Sequence, residues 1–284
     1  MRPTRRGCLG TICVSFFATT TRTAADDKGI CDGDRLGMEA TVPGAYMNPC
    51  YTLPSRSVKQ GDGSILTVDQ ASTSQGMTGR TGVAVWNSCL LLSRFIANLA
   101  SSPQLLSLFE GRDVLELGCG TGLASLVAAP LANTVLATDG NSEVVELARK
   151  NSEKNANSRP RDNVRVTEMK WGSMGVPTEL YSAVDTVFGS DLTYNSGSWR
   201  ALGETISAVL RPRSGKVVYL ATGHEGFKVQ GELDGFLSVM VGEGLKLNKP
   251  LTDAANELLG RLLSQEERAM LASTGGARIV ILES

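Results

Sequence analysis

The residues best placed to do chemistry begin with a glycine run, Glu116-Leu117-Gly118-Cys119-Gly120-Thr121-Gly122. An apolar stretch, DVLEL, precedes it and LASLVAAPLA (123–132) follows. After a buried strand and before a helix, such a turn is where an open α/β sheet takes a nucleotide-like ligand. Gly118 and Gly120 allow the tight turn and let a ligand approach the backbone with no Cβ in the way. A plain strand-to-helix turn has the same glycines, so two further details matter. The dinucleotide spacing G-x-G-x-x-G needs glycine at 123, where the chain has Leu123; the third glycine comes one place early, at Gly122. In addition, Glu116 would repel a pyrophosphate but tolerate a ligand with a cationic end. A second acid, Asp139, follows Gly120 by 19 residues and ends the next apolar run. There a carboxylate can accept from both hydroxyls of a ribose. Asp139-Gly140-Asn141 also offers a helix N-cap, the plainer role for Asn141.

A second group of polar residues ends the apolar run DTVFG: Ser190, Asp191 and, three places on, Tyr194. An Asp-x-x-Tyr occurs by chance, with the Asp capping a following helix. Trp86 alone would serve as a core anchor at the start of its helix, and Trp171 alone fits a core or a ligand wall equally.

These residues need a frame to bring them together. Apolar runs over 113–118, 134–139, 164–171, 185–191, 216–222, 245–251 and 277–284 read as seven strands. Helical periods over 123–132, 142–154, 198–210, 227–241 and 253–271 alternate with them. An amphipathic helix over 86–99, with Leu90, Leu91, Phe95, Ile96 and Leu99 on its apolar face, precedes the first, and 64–68 suits a short strand. Strands alternating with helices of this length give βαβ units and a doubly wound, mostly parallel sheet. Asp191, Tyr194 and Ser190 then fall at the rim where ligands bind in such sheets, the carboxyl ends of the strands. Residues 25–62 are rich in Gly, Asp, Pro and Ser without a sustained period, which sets a flexible leader over 1–62 and a domain over 63–284.

With its glycine run and the acid ending the second strand, the chain resembles a class I, seven-stranded S-adenosylmethionine-dependent methyltransferase over about residues 80–284. The resemblance implies a Rossmann-like sheet with an antiparallel last strand, and S-adenosylmethionine as cofactor. Asp191-Leu192-Thr193-Tyr194 at the fourth strand end, with TGVAVWNSCLLLSRFI (81–96), is similar to the non-histone protein-lysine methyltransferases, which include calmodulin-lysine and chaperone-lysine methyltransferases. By that resemblance Trp86 faces the methionine part of the cofactor and Trp171 lies beside the adenine. Gly118, Cys119, Gly120, Asp139 and Ser190 complete the carried-over cofactor side, with Glu116, Gly140 and Asn141 adjoining. Asp191 and Tyr194 form the acceptor side. The group more often has alanine at Ser190 and aspartate at Asn87.

Those roles make chemical sense. Methyl transfer is an in-line displacement, so positioning supplies most of the catalysis. A lysine nucleophile must first lose a proton from a group of ordinary pKa about 10.4, which burial and a nearby cation push down. A carboxylate such as Asp191 can receive the incoming ammonium, and Tyr194 can hydrogen-bond the amine or line an aromatic channel. The implied partner is a protein carrying the target lysine. A small molecule or a protein N-terminus as acceptor, or a cofactor-binding scaffold without catalysis, are the alternatives; intact Asp191 and Tyr194 argue against the last. His224 suits a proton shuttle or an exposed loop.

Charge and composition bound the rest. The chain of 284 residues carries a net −1, but residues 1–24 hold Arg2, Arg5, Arg6 and Arg22 and no acid, leaving 24 basic and 29 acidic residues in the remainder. A body at net −5 without a basic tract does not suit a phosphate backbone, so no nucleic-acid partner is expected. The head, basic and then rich in Thr and Ala to about residue 25, has the composition of a transit peptide; its stretch 8–18 also fits a secretory segment, and an untargeted tail is the third reading. The location is therefore expected to be cytoplasmic, or organellar if the head is an address. No run is apolar and long enough to span a membrane. The six cysteines show no C-x-x-C spacing and His224 is the only histidine, so neither a disulfide framework nor a metal site is expected.

Overall fold

A computed structural model describes residues 36, 49–60, 63–71, 81–158, 162–172, 184–210, 215–222 and 229–284. Two strands come first, β1 (Ser55–Lys59) and β2 (Ile65–Asp69), then α1 (Asn87–Ala97) and a single helical turn at Pro103–Leu106. The alternation follows: β3 (Asp113–Leu117), α2 (Leu123–Ala128), β4 (Thr134–Asp139), α3 (Ser142–Lys154), β5 (Val164–Glu168), β6 (Thr186–Ser190), α4 (Trp199–Leu210), β7 (Lys216–Thr222) and α5 (Val229–Gly242). The chain closes with β8 (Lys246–Leu247), α6 (Lys249–Leu262), α7 (Gln265–Thr274) and β9 (Ala277–Glu283).

One seven-stranded sheet runs β5-β4-β3-β6-β7-β9-β8, with β9 antiparallel to both its neighbours and the other described pairings parallel. This is the doubly wound α/β sheet with an antiparallel last strand that the sequence implied. Because strand side chains alternate, each strand feeds two cores. Val114, Phe188, Val218, Ile279 and Ile281 meet α1, α2 and α6 on one face. Leu115, Leu117, Val187, Tyr219 and Leu282 meet α4 and α5 on the other. The order reverses between β3 and β6, which opens a crevice at the carboxyl ends of those strands.

Three expectations need correction. The strand expected over 245–251 shrinks to two residues, because Asn248 caps a helix through Leu251 N–H and Pro250 sits in that helix's first turn. The helix expected over 253–271 is two helices, since Ser264 and Glu267 form a reciprocal capping box that starts a new one. Glu267 also accepts a fork from Arg94 of α1 at 2.8 and 3.0 Å, binding α7 to the core. The third correction concerns the leader. Residues 49–60 are folded: β1 pairs with β2 from Ser55↔Asp69 to Lys59↔Ile65, so a boundary at 62 falls within a hairpin.

Asn151 of α3 and Asn155, its C-cap, close the open edge of this hairpin. Asn155 pairs with the N–H and C=O of Thr67, and Asn151 with those of Asp69, each amide imitating a neighbouring strand. Cys50, just before the hairpin, is disulfide-bonded. Cys89 and Cys119 are free. The segment 1–25 and His224 lie outside the described residues. No helix among the described residues is long and apolar enough to cross a membrane.

Candidate functional site

The cofactor side is made mostly of backbone. At the end of β3 the chain turns through Gly118 (φ +62°) and Gly120 (φ +54°) into Gly122 (φ +82°), the N-cap of α2. Glycine takes these angles most readily, having no Cβ to clash. Contact is equally tight: a Cβ on Gly118 would lie 2.5 Å from Leu192 Cδ2 and 3.8 Å from the Trp171 ring, and one on Gly120 would lie 3.1 Å from the Gly82 carbonyl. Gly82 thus lays the segment before α1 across the glycine turn, a role that sequence reasoning missed. Its signal was only a glycine four places before Trp86.

Asp139 closes the turn from the next strand, accepting from Gly120 N–H at 3.2 Å and Asn141 N–H at 3.1 Å. Burial raises its pKa, and these backbone donors oppose the shift. Asn141 caps α3, accepting from Glu143 and Val144 N–H. Gly140 lies beside the Met169 carbonyl. Cys119 is buried, with its thiol pushed up by burial and then by the neighbouring acids, so it presents backbone and not a thiolate.

Glu116 lies lower than its motif suggested. Only 2% exposed, it sits in the face between the sheet and α1 and α2, where Ser125 Oγ donates to its carboxylate. Desolvation pushes its pKa up to about 8, partly opposed by the Ser125 bonds. The acid therefore sits beneath the turn, not on its open side.

The two tryptophans flank the crevice, both half-buried. Trp171 packs beside Gly118. Trp86 is the N-cap of α1; its ring packs at a tilt of 50° against Tyr51 with centroids 4.5 Å apart, and its Nε1–H donates to the Thr81 carbonyl at 2.7 Å. Thr81 Oγ1 in turn lies 3.4 Å from the Tyr194 hydroxyl, so Trp86 and Tyr194 share one neighbour across the crevice. Gln70 braces this arm by accepting from Val85 N–H and donating to the carbonyls of Cys50 and Leu53.

The acceptor side is a loop held by side chains. Ser190 ends β6 half-buried. Asp191 follows with φ +48°, the one non-glycine residue at positive φ among the described residues. Its N–H donates to the Leu220 carbonyl, and its carboxylate accepts from Thr222 N–H at 2.7 Å and Thr222 Oγ1 at 2.6 Å. Leu192 N–H donates to the Tyr219 hydroxyl at 3.1 Å, and Trp199 Nε1–H donates to the Thr193 carbonyl at 2.7 Å. Tyr194 stands 59% exposed at the mouth. Leu192, Thr193, Trp199, Tyr219 and Thr222 were not anticipated as parts of this site; Tyr219 and Thr222 act from the neighbouring strand, beyond any local motif.

The geometry suits an adenosine-bearing cation. The turn offers close backbone approach, Asp139 a carboxylate for ribose, and Trp171 a ring wall. Asp139 lies where a phosphate would need positive charge.

Comparison with known proteins agrees. The lysine methyltransferase family matches residues 63–228. Calmodulin-lysine N-methyltransferase of Arabidopsis thaliana is 30% identical over 173 residues, covering 58% of this chain and 55% of that protein. Protein-lysine N-methyltransferase EFM3 of Saccharomyces cerevisiae is 32% identical, covering 40% of this chain and 36% of that protein. Protein N-lysine methyltransferase METTL21A of Danio rerio is 32% identical, covering 45% and 56% respectively. The chain thus spans between about a third and just over half the length of these relatives.

Proposed function

The chain belongs to the lysine methyltransferase family, and from that premise we propose that it transfers the methyl group of S-adenosylmethionine to a lysine side chain of a non-histone protein. The observation that carries this reading is the strained Asp191 at the end of β6, beside the glycine turn of β3. A non-glycine residue at φ +48° is uncommon, here held by the Leu220 and Thr222 bonds, and such conformations cluster at functional sites.

S-adenosylmethionine supplies an electrophilic methyl group on a sulfonium sulfur. The glycine turn, Asp139 and Trp171 bind and orient the adenosine, while Trp86 walls the methionine end. The lysine enters past Tyr194, whose ring and hydroxyl are exposed at the mouth. The Asp191 carboxylate, aimed by its Thr222 bonds, accepts from the ammonium and aligns it. The nitrogen must shed one proton before it attacks, and enclosure beside a cation lowers the cost of that loss.

The test is label transfer from tritiated S-adenosylmethionine into a protein extract of the source organism, followed by mass spectrometry of the labelled band. Methyl-lysine is expected. Asp191→Ala and Tyr194→Phe should each lower transfer about tenfold or more while S-adenosylhomocysteine still binds by calorimetry. Failure of the wild type to bind S-adenosylhomocysteine would end the cofactor assignment. Methyl found on an N-terminal amine would move the acceptor from side chain to chain end.

A further inference from the structure

Resting on the methyl-transfer reading, we propose that Tyr219 is a positioning residue that sets the acceptor loop against the cofactor turn by gripping Leu192 and Thr193. Tyr219 lies in the middle of β7 and is 2% exposed. Its ring packs on Phe236 of α5, with centroids 5.2 Å apart, which fixes where the hydroxyl points. That one oxygen meets two groups of the loop: Leu192 N–H at 3.1 Å and Thr193 Oγ1 at 2.7 Å. A phenol oxygen can accept one bond while exchanging a second, so both contacts are made at once.

The placement matters because of what lies on either side. The regular β6–β7 register ends at Ser190↔Leu220. One residue later the backbone turns through Asp191 at positive φ, a conformation that relaxes unless it is held. Thr222 holds the Asp191 side chain, and Tyr219 holds the next two residues, so one strand latches three consecutive positions.

Leu192 carries the consequence to the cofactor. Its methyl groups fill the space above two glycines, within 2.5 Å of where a Cβ of Gly118 would stand and 2.8 Å of one at Gly189. The residue whose amide Tyr219 fixes is therefore the residue that rests on the glycine turn. A path of two contacts, Tyr219 to Leu192 to Gly118, sets the spacing between donor and acceptor halves. In-line transfer is sensitive to that spacing: a misplacement of about 1 Å can cost on the order of a hundredfold.

The deciding variant is Tyr219→Phe, which keeps the ring and removes only the hydroxyl. A second variant, Val209→Ala, opens a hole in the same core without touching the loop and controls for lost stability. Three readouts are taken well below the melting temperatures: the initial rate of tritium transfer from saturating S-adenosylmethionine into a fixed protein extract, S-adenosylhomocysteine affinity by calorimetry, and amide hydrogen exchange at Leu192. In Tyr219→Phe, transfer should fall about ten- to a hundredfold. Exchange at Leu192 should quicken, and S-adenosylhomocysteine affinity should stay within about twofold. Val209→Ala should keep the wild-type rate. Transfer at the wild-type rate in Tyr219→Phe would overturn the proposal, as would an equal loss of rate in Val209→Ala. So would a rate loss matched by lost S-adenosylhomocysteine affinity. A wild type that transfers no label to any acceptor refutes the methyl-transfer reading itself, and the positioning role falls with it; that outcome is read from the wild type alone.

Discussion

The two halves of the crevice are built by different means. The proposed cofactor half is a local device: three glycines at positive φ within five residues, closed by one carboxylate from the adjacent strand. The acceptor half is a distributed one, in which a strained loop at 191–194 is held by Tyr219 and Thr222 from β7 and by Trp199 from α4. Backbone conformation makes the first rigid, whereas side-chain bonds make the second so. A backbone cradle has almost no tolerance for substitution. A side-chain latch can be loosened one bond at a time, which leaves room for acceptor specificity to change while the cofactor site stays fixed.

The largest expected effect tests that contrast directly. Gly118→Ala adds a Cβ at φ +62°, 2.5 Å from Leu192 Cδ2, and so combines backbone strain with a clash. We expect S-adenosylhomocysteine affinity to fall about a hundredfold or more by calorimetry, equivalent to about 3 kcal/mol. Asp191→Asn, by contrast, puts a residue that tolerates the left-handed region at φ +48°. It should leave that affinity within about twofold while transfer drops. Equal losses of affinity in both variants would erase the distinction between the halves.

The second prediction probes the acid beneath the cradle. Burial raises the Glu116 pKa from the ordinary 4.5 to about 8. A group with a raised folded pKa favours the folded state fully below its unfolded pKa, and that contribution is lost as pH rises through the folded one. Ligand-free protein should therefore lose stability between about pH 4.5 and pH 8, by an amount of the order of a few kcal/mol. The raised pKa of Asp139 adds a loss in the same direction. Glu116→Gln keeps an acceptor for Ser125 but has no proton to lose. Urea denaturation across this range should give a flatter profile for the variant, with the difference largest at the alkaline end. Parallel profiles would mean that Glu116 does not titrate there.

These contrasts also explain what could be read from the sequence. The glycine run, Asp139 and the Asp-x-x-Tyr are legible because each is local: residue type and strand-end position are both written in the immediate neighbourhood. Thr222 and Tyr219 are not, since they meet the loop from 31 and 27 residues away, through a sheet register that no short window contains. β1 was hidden for another reason. Its sequence, SRSVK, places Arg56 on the buried face, so the alternation of burial is masked by a charged residue. The break after α6 was legible in principle, because Ser264 and Glu267 have capping-box spacing, but the apolar period continues through Leu262 and Leu263 and conceals it.

The smallest effects test whether the cradle stands on its own. Asn151 is fully buried on α3, and its amide donates to the Thr121 carbonyl inside the glycine run as well as pairing with Asp69 of the hairpin. Replacing it with alanine leaves buried backbone groups at residues 69 and 121 without these bonds, at a cost of about 1–3 kcal/mol by chemical denaturation. Lys154, one turn further along the same helix, reaches the Asp69 side chain at 2.5 Å, but both groups are about half exposed to water. Such an ion pair is screened and entropically costly, so Lys154→Ala should cost below about 1 kcal/mol. Both variants loosen the hairpin, but only Asn151→Ala touches the glycine run. If Asn151→Ala also weakens S-adenosylhomocysteine binding and Lys154→Ala does not, the cradle depends on a side-chain brace as the acceptor loop does. If neither changes affinity, the glycine backbone and Asp139 hold the cofactor half unaided, and the contrast between the two halves is as sharp as their geometry suggests.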